Sequence, residues 1–372
     1  MTLVLVLIIL IYVVTIAQLI VGFNRAKKFE ATAKTPTTFF SIVVPFRNES
    51  SHLPFLLESI RNLNYPIELF EIILIDDFSE DDSVRQIYNW RMENGSFQTT
   101  LLENIRLSNS PKKDAISRAV PIVQQQWLVT TDADCLVPKD WLLTLDQYIE
   151  EQEVAMIVGG VVYDGKKSFL HHFQQLDLMS LQGATIGSFG MKLGFMCNGA
   201  NLCYTKSLFQ ELHGFAGNNK IASGDDVFLL QKAMRKCPEK VHFLKSKEIV
   251  VHTKPESSWP KLIEQRVRWA SKTSSYHSVF GKDLAVIVFG GNFAIVLASC
   301  LFSLNLVSWM TLVFLFFMKF ITDYILLYKT NRFLRRKRMR YLLLGSVIYP
   351  FFCVIVAVLS WFGKYEWKGR QF

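Results

Sequence analysis

The sequence lacks the glycine-rich signatures of the commonest nucleotide-binding folds. No Gly-x-Gly-x-x-Gly follows the first strand pattern of the polar region, and no Gly-x4-Gly-Lys-Ser/Thr occurs in the 372 residues. The first absence argues against a dinucleotide-dependent oxidoreductase, and the second argues against a P-loop enzyme. A phosphate group bound by this chain therefore needs another counter-charge, such as a metal ion.

Cysteine is also scarce. The six cysteines form no Cys-x-x-Cys pair and have no histidine partners at zinc spacing, so we expect reduced, mostly packed thiols in a cytosolic domain. The formal net charge is +9. No basic stripe interleaved with aromatic residues occurs in the polar middle of the chain, which argues against nucleic acid as a partner.

Charge is absent from long stretches near both ends of the chain. Residues 1–24 carry none, and the apolar run over residues 3–21 is long enough to span a bilayer. We interpret residues 1–24 as an uncleaved N-terminal membrane anchor, because no basic residue precedes the run and no small-residue cleavage site follows it. A cleaved signal peptide is the alternative.

Three further apolar segments follow the polar middle. Residues 284–318 carry no charge, and their length predicts a transmembrane hairpin over 284–328 that turns near Ser303. The uncharged run 341–363 predicts a last membrane segment, with a kink at Pro350. The sequence therefore predicts about four transmembrane helices, one N-terminal and three C-terminal.

Basic residues flank these segments. They follow the first run at Arg25, Lys27 and Lys28, and they precede the last at Arg332, Arg335, Arg336, Lys337, Arg338 and Arg340. Basic flanks favour the cytosolic side and attract anionic headgroups. We therefore expect an integral protein of the cell (inner) membrane, with membrane lipids as partners and a cytosolic middle domain. The tail residues Lys364, Lys368 and Arg370 would then lie outside, so a re-entrant last segment is the alternative.

Short apolar segments alternate with amphipathic ones in the polar middle. Strands are predicted over 39–45, 71–75, 104–107 and 127–131, with helices between them over 51–63, 81–93 and 113–125. This alternation predicts an α/β domain over 38–280, with a mostly parallel sheet and helices on both faces. Its second half adds strands over 154–163 and 241–250, helices over 168–188 and 227–235, and an amphipathic interfacial helix over 258–280.

Three of the predicted strands end in polar clusters. These clusters are Pro45 to Glu49, Asp76-Asp77 and Asp132-Ala133-Asp134. Ligands bind at the carboxyl ends of strands in parallel sheets. Two carboxylates at i and i+2 can bind one hard cation, and a divalent ion bound there can in turn bind a diphosphate. A solvated turn is the alternative for Asp132 and Asp134 taken alone, but three such clusters in succession favour a site.

Taken in order, the motifs resemble those of the family 2 glycosyltransferases, over about residues 38–280. The matching segments are Ser41 to Glu49, Ile75-Asp76-Asp77-x-Ser79, Lys112-Lys113-x-Ala115, Asp132-x-Asp134, Gly199-Ala200-Asn201, Gly224-Asp225-Asp226 and Gln265-x-x-Arg268-Trp269. The resemblance implies an inverting enzyme with a GT-A fold, related to cellulose, chitin and hyaluronan synthases.

The resemblance also implies residue roles. Asp226 would be the catalytic base, which takes the proton from the acceptor hydroxyl in a single displacement. The implied nucleotide-sugar-binding residues are Pro45, Glu49, Asp77, Lys112, Asp132 and Arg268. The implied acceptor-binding residues are Asp225, Gln265 and Trp269, and the implied ligands of a divalent metal, Mg²⁺ or Mn²⁺, are Asp134 and Asp132.

Structural roles remain alternatives at several of these positions. The Asp76-Asp77 and Asp225-Asp226 pairs could cap the helices that follow them. Lys112 could be a solvated lysine at a helix start. Arg268 and Trp269 could anchor a helix at the membrane interface.

The expected function is that of a membrane-bound, inverting glycosyltransferase. It would move a sugar from a nucleotide-sugar, interpreted as a UDP-sugar, to a lipid or lipid-linked acceptor. A processive polysaccharide synthase is the alternative within this class. A catalytically silent membrane scaffold and a nucleotidyltransferase or nucleotide-sugar binder are alternatives from other classes. The sequence predicts neither the sugar nor the oligomeric state.

Overall fold

A computed structural model of the chain describes residues 1–32, 34–165, 168–217, 224–272, 275–362, 366–367 and 370–371. Gly363, Lys364 and Lys368, which were named above for the last membrane segment and the tail, lie outside these residues, and the side chain of Arg370 is not described.

Helices and strands alternate through the middle of the chain, and long helices lie near both ends. The helices are α1 Thr2–Arg25, α2 Leu53–Arg61, α3 Ser83–Glu93, α4 Pro111–Ala119, α5 Trp141–Glu151, α6 Phe169–Gly190, α7 Lys206–Glu211, α8 Asp225–Lys236, α9 Trp259–Ala270, α10 Val279–Ser303, α11 Trp309–Leu334 and α12 Leu342–Phe362. The strands are β1 Phe40–Phe46, β2 Phe70–Asp76, β3 Thr99–Glu103, β4 Trp127–Thr130, β5 Met156–Val158, β6 Val161–Tyr163, β7 Leu202–Thr205, β8 Val241–Phe243, β9 Val251–Thr253, β10 Glu366–Trp367 and β11 Arg370–Gln371.

The chain forms two compact units, which are described separately. The sheet unit comprises Lys27–Asp164 and Met196–Lys254. The helical unit comprises Met1–Ala26, Gly165–Phe195 and Pro255–Phe372.

The main sheet of the sheet unit has the strand order β3-β2-β1-β4-β7-β5-β8. Strands β3, β2, β1 and β4 are mutually parallel, β5 is parallel to β8, and β7 runs antiparallel to β4 and β5. Successive residues of β1 such as Ile42, Val43 and Val44 are fully buried, so both faces of the sheet are covered. Burial of each such side chain contributes about 1.5 to 3 kcal/mol. The predicted mostly parallel α/β sheet is confirmed.

One predicted strand is wrong. The third strand is β3, Thr99–Glu103, and the apolar-looking segment 104–107 follows it as a loop. Asn104 and Arg106 in this loop donate hydrogen bonds to Asp77, and Leu107 is 84% exposed. The loop residues satisfy a buried carboxylate instead of continuing the β-ladder.

Two other predicted strands differ from the observed ones: one is divided in two, and the other is shorter than predicted. The segment 154–163 contains β5 and β6, which Gly159 and Gly160 separate. The segment predicted over 241–250 contains only β8, and β9 follows it. Strands β6 and β9 leave the main sheet and pair with each other in parallel. The described cysteines are all free thiols, as expected, although Cys300 is exposed.

The helical unit contains the long apolar helices. Among the described residues, four helices are long and apolar enough to cross a membrane, namely α1, α10, α11 and Leu342–Trp361 of α12. The predicted set of one N-terminal and three C-terminal segments is therefore confirmed. The chain turns after Ser303, with Asn305 at a positive φ of 59°, and Pro350 lies inside α12.

Helix α6 packs closely against α1. A Cβ at Gly22 would meet the carbonyl oxygen of Gly187, and a Cβ at Gly190 would meet the carbonyl oxygen of Gly22. Glycine at these three positions lets the two backbones approach, as is common between membrane helices.

An ion pair with one buried member lies among the apolar helices, where the Asp323 side chain is 23% exposed. The Lys319 ammonium lies 2.6 Å from Asp323 on α11, and the Tyr12 hydroxyl of α1 donates to the other oxygen of Asp323 at 2.5 Å. Lys319 is only 4% exposed. The carboxylate thus neutralises the ammonium and links α11 to α1 through a hydrogen bond.

Candidate active site

The polar clusters predicted at strand ends meet at one edge of the sheet. Strand β1 lies between β2 and β4 and is parallel to both. Parallel strands direct their carboxyl ends to the same side. The segments that follow Phe46, Asp76 and Thr130 therefore emerge side by side.

Lys112 connects two of the predicted motifs. It lies in the first turn of α4, where its ammonium is 2.6 Å from Asp132 Oδ1 and 3.3 Å from Asp225 Oδ2. Burial lowers the pKa of Lys112, but the carboxylates of Asp132, Asp225 and Asp226 raise it more, so this pKa lies above its ordinary value. Lys112 is therefore a charged lysine that pairs with both acidic motifs, not the solvated lysine of the alternative interpretation.

Asp226 is held by backbone donors at the start of α8. The Gly199 N–H donates to its Oδ2 at 2.9 Å, and the Val227 N–H donates to its Oδ1 at 2.7 Å. The carbonyl of Gly199 in turn accepts a 2.8 Å bond from Thr130 at the end of β4. The turn at Gly199 thus joins Asp226 to the strand that leads into Asp132. Gly224, which precedes the acidic pair, adopts a φ of +82° that suits glycine.

Asp132, Asp134 and Cys135 form a group of potential metal ligands. Their ligand atoms lie within 4.8 Å of one another. Burial raises the pKa of Cys135 well above its ordinary value, and Asp134 and Asp132 add to this shift, so the thiol stays protonated at neutral pH. Thr253 donates to Asp134 at 3.3 Å. The two carboxylates suit a hard divalent cation, whereas the soft sulfur of Cys135 does not.

Asp77 is buried beside a loop that sequence reasoning did not single out. Arg106 contacts both carboxylate oxygens of Asp77, at 2.8 and 3.1 Å, and Asn104 donates to Asp77 at 2.8 Å. The Arg106 guanidinium lies 4.7 Å from the centroid of the Phe78 ring. A cavity of about 670 Å³ opens here, lined by Phe78, Glu103, Asn104, Ile105, Arg106 and Arg118.

The sequence contains a signal for Asn104 and Arg106 as site residues, namely their position directly after a strand. They occupy the same position after β3 that the other polar clusters occupy after their strands. The strand predicted over 104–107 begins five residues later than β3 does, so the sequence pattern places both residues inside a strand.

Pro45 and Glu49 lie at the end of β1. Pro45 pairs with Ile75 of β2, and the Glu49 carboxylate lies 2.6 Å from His52 Nδ1. Arg47, between them, donates to the Asp77 carbonyl oxygen at 2.8 Å and lies 3.0 Å from Glu80. These contacts join the β1 end to the β2 end.

Gln265, Arg268 and Trp269 lie on α9, in the helical unit. The Gln265 side chain donates to Glu256 at 2.8 Å, and the Arg266 guanidinium lies 4.2 Å from the centroid of the Trp269 ring. Burial raises the pKa of Glu256, and Arg268 is the largest of the cationic influences that oppose this shift. Helix α9 ends at Ala270, so it is shorter than the helix predicted over 258–280.

The apolar face of α9 packs within the helical unit. Leu262 and Val267 form a cluster with Phe352 and Val356 of α12 and with Phe173 of α6. Helix α9 is therefore attached directly to a helix with the length and composition of a membrane span.

Comparison with solved structures identifies the fold. The chain aligns with a mannosyltransferase from Pyrobaculum calidifontis, solved in complex with GDP-Man and Mn²⁺, with a TM-score of 0.56 and 16% identity. The alignment covers 95% of this chain and 99% of the other. The chain thus has the GT-A fold.

Family models match most of the chain. The model described as Glycosyl transferase family 2 matches residues 41–212, and the model described as Glycosyl transferase family group 2 matches residues 127–364. The chain belongs to the family 2 glycosyltransferases.

Curated relatives match shorter stretches. A beta-monoglucosyldiacylglycerol synthase of Trichormus variabilis is 25% identical over 150 residues, which are 40% of this chain and 32% of the relative. The poly(ribitol-phosphate) beta-N-acetylglucosaminyltransferase TarS of Staphylococcus aureus is 24% identical over 112 residues, which are 30% of this chain and 19% of the relative. The chain thus spans about a third or less of the length of these relatives.

Proposed function

We propose that this protein is a membrane-bound, inverting glycosyltransferase that moves a sugar from a UDP-sugar to a lipid or lipid-linked acceptor. The observation that carries the proposal is the position of Lys112, whose ammonium lies between Asp132 and the Asp225-Asp226 pair. An ammonium and several carboxylates at the ends of parallel strands suit a substrate that carries both a diphosphate and a reacting hydroxyl.

The donor would bind at the strand ends of the sheet unit. Asp134 and Asp132 would hold a Mg²⁺ or Mn²⁺ ion, whose charge would stabilise the leaving diphosphate. Lys112 supplies a second positive charge for the same phosphates. The cavity beside Asp77, with its Arg106–Phe78 pair, has the size and the planar surface that a nucleoside requires. Pro45 and Glu49 are assigned to the same subsite, and Arg268 to the diphosphate.

Asp226 would act as the base. Its carboxylate takes the proton from the acceptor hydroxyl while that oxygen forms a bond to the anomeric carbon. The bond from this carbon to the diphosphate oxygen breaks on the opposite face, and its electrons stay with the diphosphate. The backbone donors Gly199 and Val227 fix the orientation of the carboxylate for this step.

The acceptor is assigned to Gln265, Trp269 and Asp225. Helix α9 packs against α12, a helix suited to span a membrane, and this supports an acceptor that comes from the lipid phase. The name of the Trichormus relative, a beta-monoglucosyldiacylglycerol synthase, points to a lipid in that protein. The basic residues beside the apolar helices support a cytosolic catalytic domain at the cell (inner) membrane.

A donor screen on the detergent-solubilised protein tests the proposal. Each nucleotide-sugar is supplied with Mn²⁺, with and without a lipid extract, and the released nucleotide and the products are measured. UDP release together with a lipid carrying one added sugar is the expected result. A high-mass polymer would instead identify a processive synthase, and release of pyrophosphate would identify a nucleotidyltransferase. Absence of any turnover would favour a silent scaffold.

A further inference from the structure

An arginine is buried within the segment that carries the predicted acceptor residues. Arg266 lies on the inner face of α9, where its Nε donates to Asp177 Oδ2 of α6 at 2.6 Å. The two side chains are only 6% and 5% exposed. Neither residue belongs to the set assigned above to the donor, the acceptor or the metal.

Arg266 contacts both of the predicted acceptor residues on α9. Its guanidinium carbon lies 4.2 Å from the centroid of the Trp269 ring, which is a cation–π geometry. Its Nη1 donates a hydrogen bond to the side-chain oxygen of Gln265. The amide nitrogen of Gln265 then donates to Glu256 at 2.8 Å. One side chain thus sets the orientation of the Gln265 amide and supports the face of the Trp269 ring.

Helix α6 also contacts the N-terminal end of this segment, at Glu256. Gln174, one turn before Asp177, donates to the Glu256 carbonyl oxygen at 2.9 Å and accepts from the Glu256 N–H at 2.8 Å. Phe173, its neighbour, packs against Trp259 at the start of α9, with ring centroids 5.0 Å apart. The segment from Glu256 to Trp269 is therefore attached to α6 by polar contacts at two points and by an aromatic contact between them.

The free energy of unfolding alone does not explain why the Arg266–Asp177 ion pair is buried here. Removing two charges from water costs about as much as their attraction returns, and apolar replacements of similar volume are often neutral or stabilising. The geometry of the pair is more informative, because a planar guanidinium makes directed contacts that an apolar side chain cannot make.

We propose that the Arg266–Asp177 pair is a positioning device for the acceptor subsite, which holds Gln265 and Trp269 in the orientation that receives the acceptor. The inference deepens the proposed function and rests on it. Helix α6 would then support the acceptor subsite, and neither Arg266 nor Asp177 would contact the donor.

The test uses an apolar double variant of the full-length protein, Arg266→Met with Asp177→Leu, which removes the pair without leaving an unpaired buried charge. We expect wild-type thermal unfolding in detergent and a loss of about 100-fold in kcat/KM for the acceptor. UDP release from the donor in the absence of acceptor should stay within about twofold of wild type. Arg266→Lys, which keeps the charge but loses the planar fork, should give an intermediate loss.

A second ion pair of the helical unit, whose lysine is buried and whose aspartate is 23% exposed, provides the control. Lys319→Met with Asp323→Leu removes an ion pair on α11 in the same way, and we expect its acceptor kcat/KM to stay near the wild-type value. An Arg266→Met/Asp177→Leu protein with wild-type acceptor kcat/KM contradicts the proposal, and so does an equal loss in both double variants.

Failure of the proposed function can be distinguished from failure of this inference. If the wild-type protein releases UDP from none of the donors, the proposed function is refuted. The positioning role of Arg266 and Asp177 can then still be tested by hydrogen exchange. The inference then predicts faster amide exchange over residues 256–270 in Arg266→Met/Asp177→Leu than in wild type. Unchanged exchange over this segment would overturn it.

Discussion

The Lys112 ammonium lies 2.6 Å from the carboxylate of Asp132. This ion pair joins the first turn of α4 to the loop after β4, at the position where the proposed donor diphosphate would bind. The carboxylates keep Lys112 charged, since they raise its pKa more than burial lowers it. When a diphosphate and its cation bind, we expect this ion pair to separate. The cation would then bind Asp132, and the phosphates would bind Lys112.

Lys112→Met should therefore impair donor use. Loss of the positive charge leaves Asp132 and Asp225 without their shared cation and removes a counter-charge for the leaving group. We expect kcat/KM for the donor to fall roughly 100-fold, measured by UDP release at saturating acceptor. Lys112→Arg keeps the charge and should retain more activity, whereas wild-type kcat/KM in Lys112→Met would show that Lys112 does not contact the donor.

Asp77→Asn should weaken nucleotide binding. The substitution removes the charge that holds Arg106 by two contacts, and it disturbs the Arg106–Phe78 pair beside the cavity. We expect the Kd for UDP, measured by calorimetry, to rise about tenfold. Asp76→Asn is the control, because an asparagine oxygen can still accept the 3.0 Å bond from the Ser79 N–H. Equal UDP affinity in both variants and wild type would rule out the nucleoside assignment.

The sequence predicts the arrangement of the strand ends well because it follows from chain direction alone. Once β1, β2 and β4 are parallel neighbours, the residues after Phe46, Asp76 and Thr130 must share an edge. The sequence does not predict the partner of Arg266, since Asp177 lies 89 residues earlier on another helix and no periodicity links the two. Strand β3 was placed too late because its Thr99-Thr100 start is less apolar than the Ile105–Leu107 loop.

The Lys319–Asp323 pair should matter most when only one partner is removed. Lys319→Met leaves the Asp323 carboxylate among apolar helices without its cation, and we expect a loss of roughly 3 to 5 kcal/mol in the free energy of unfolding. The double variant Lys319→Met/Asp323→Leu should recover most of this loss. Thermal unfolding in a single detergent measures both, and a double variant less stable than Lys319→Met would contradict the account.

Glu256 should make stability depend on pH. Burial raises its pKa above the unfolded value, against the opposing influence of Arg268, Lys261 and Arg266. The folded state therefore binds this proton more tightly, so the contribution is fully present below the unfolded pKa and is lost as pH rises through the folded pKa. Glu256→Gln removes the effect. The difference between the Tm of Glu256→Gln and the Tm of wild type should be more positive at pH 7.5 than at pH 5.0. A more negative difference at pH 7.5 would contradict the prediction.

The central claim is that Asp226 takes the acceptor proton in a sugar transfer, and transfer by Asp226→Asn tests it most directly. The amide keeps one oxygen, which can accept from the Gly199 N–H or from the Val227 N–H but not from both, since these donate to different oxygens of the carboxylate. UDP affinity should stay close to wild type, because Asp226 is not among the residues assigned to the nucleotide. The measurement is the rate of glycolipid formation, with UDP affinity determined on the same preparation. We expect Asp226→Asn to bind UDP but to form no glycolipid. Transfer at the wild-type rate by this variant would contradict the central claim.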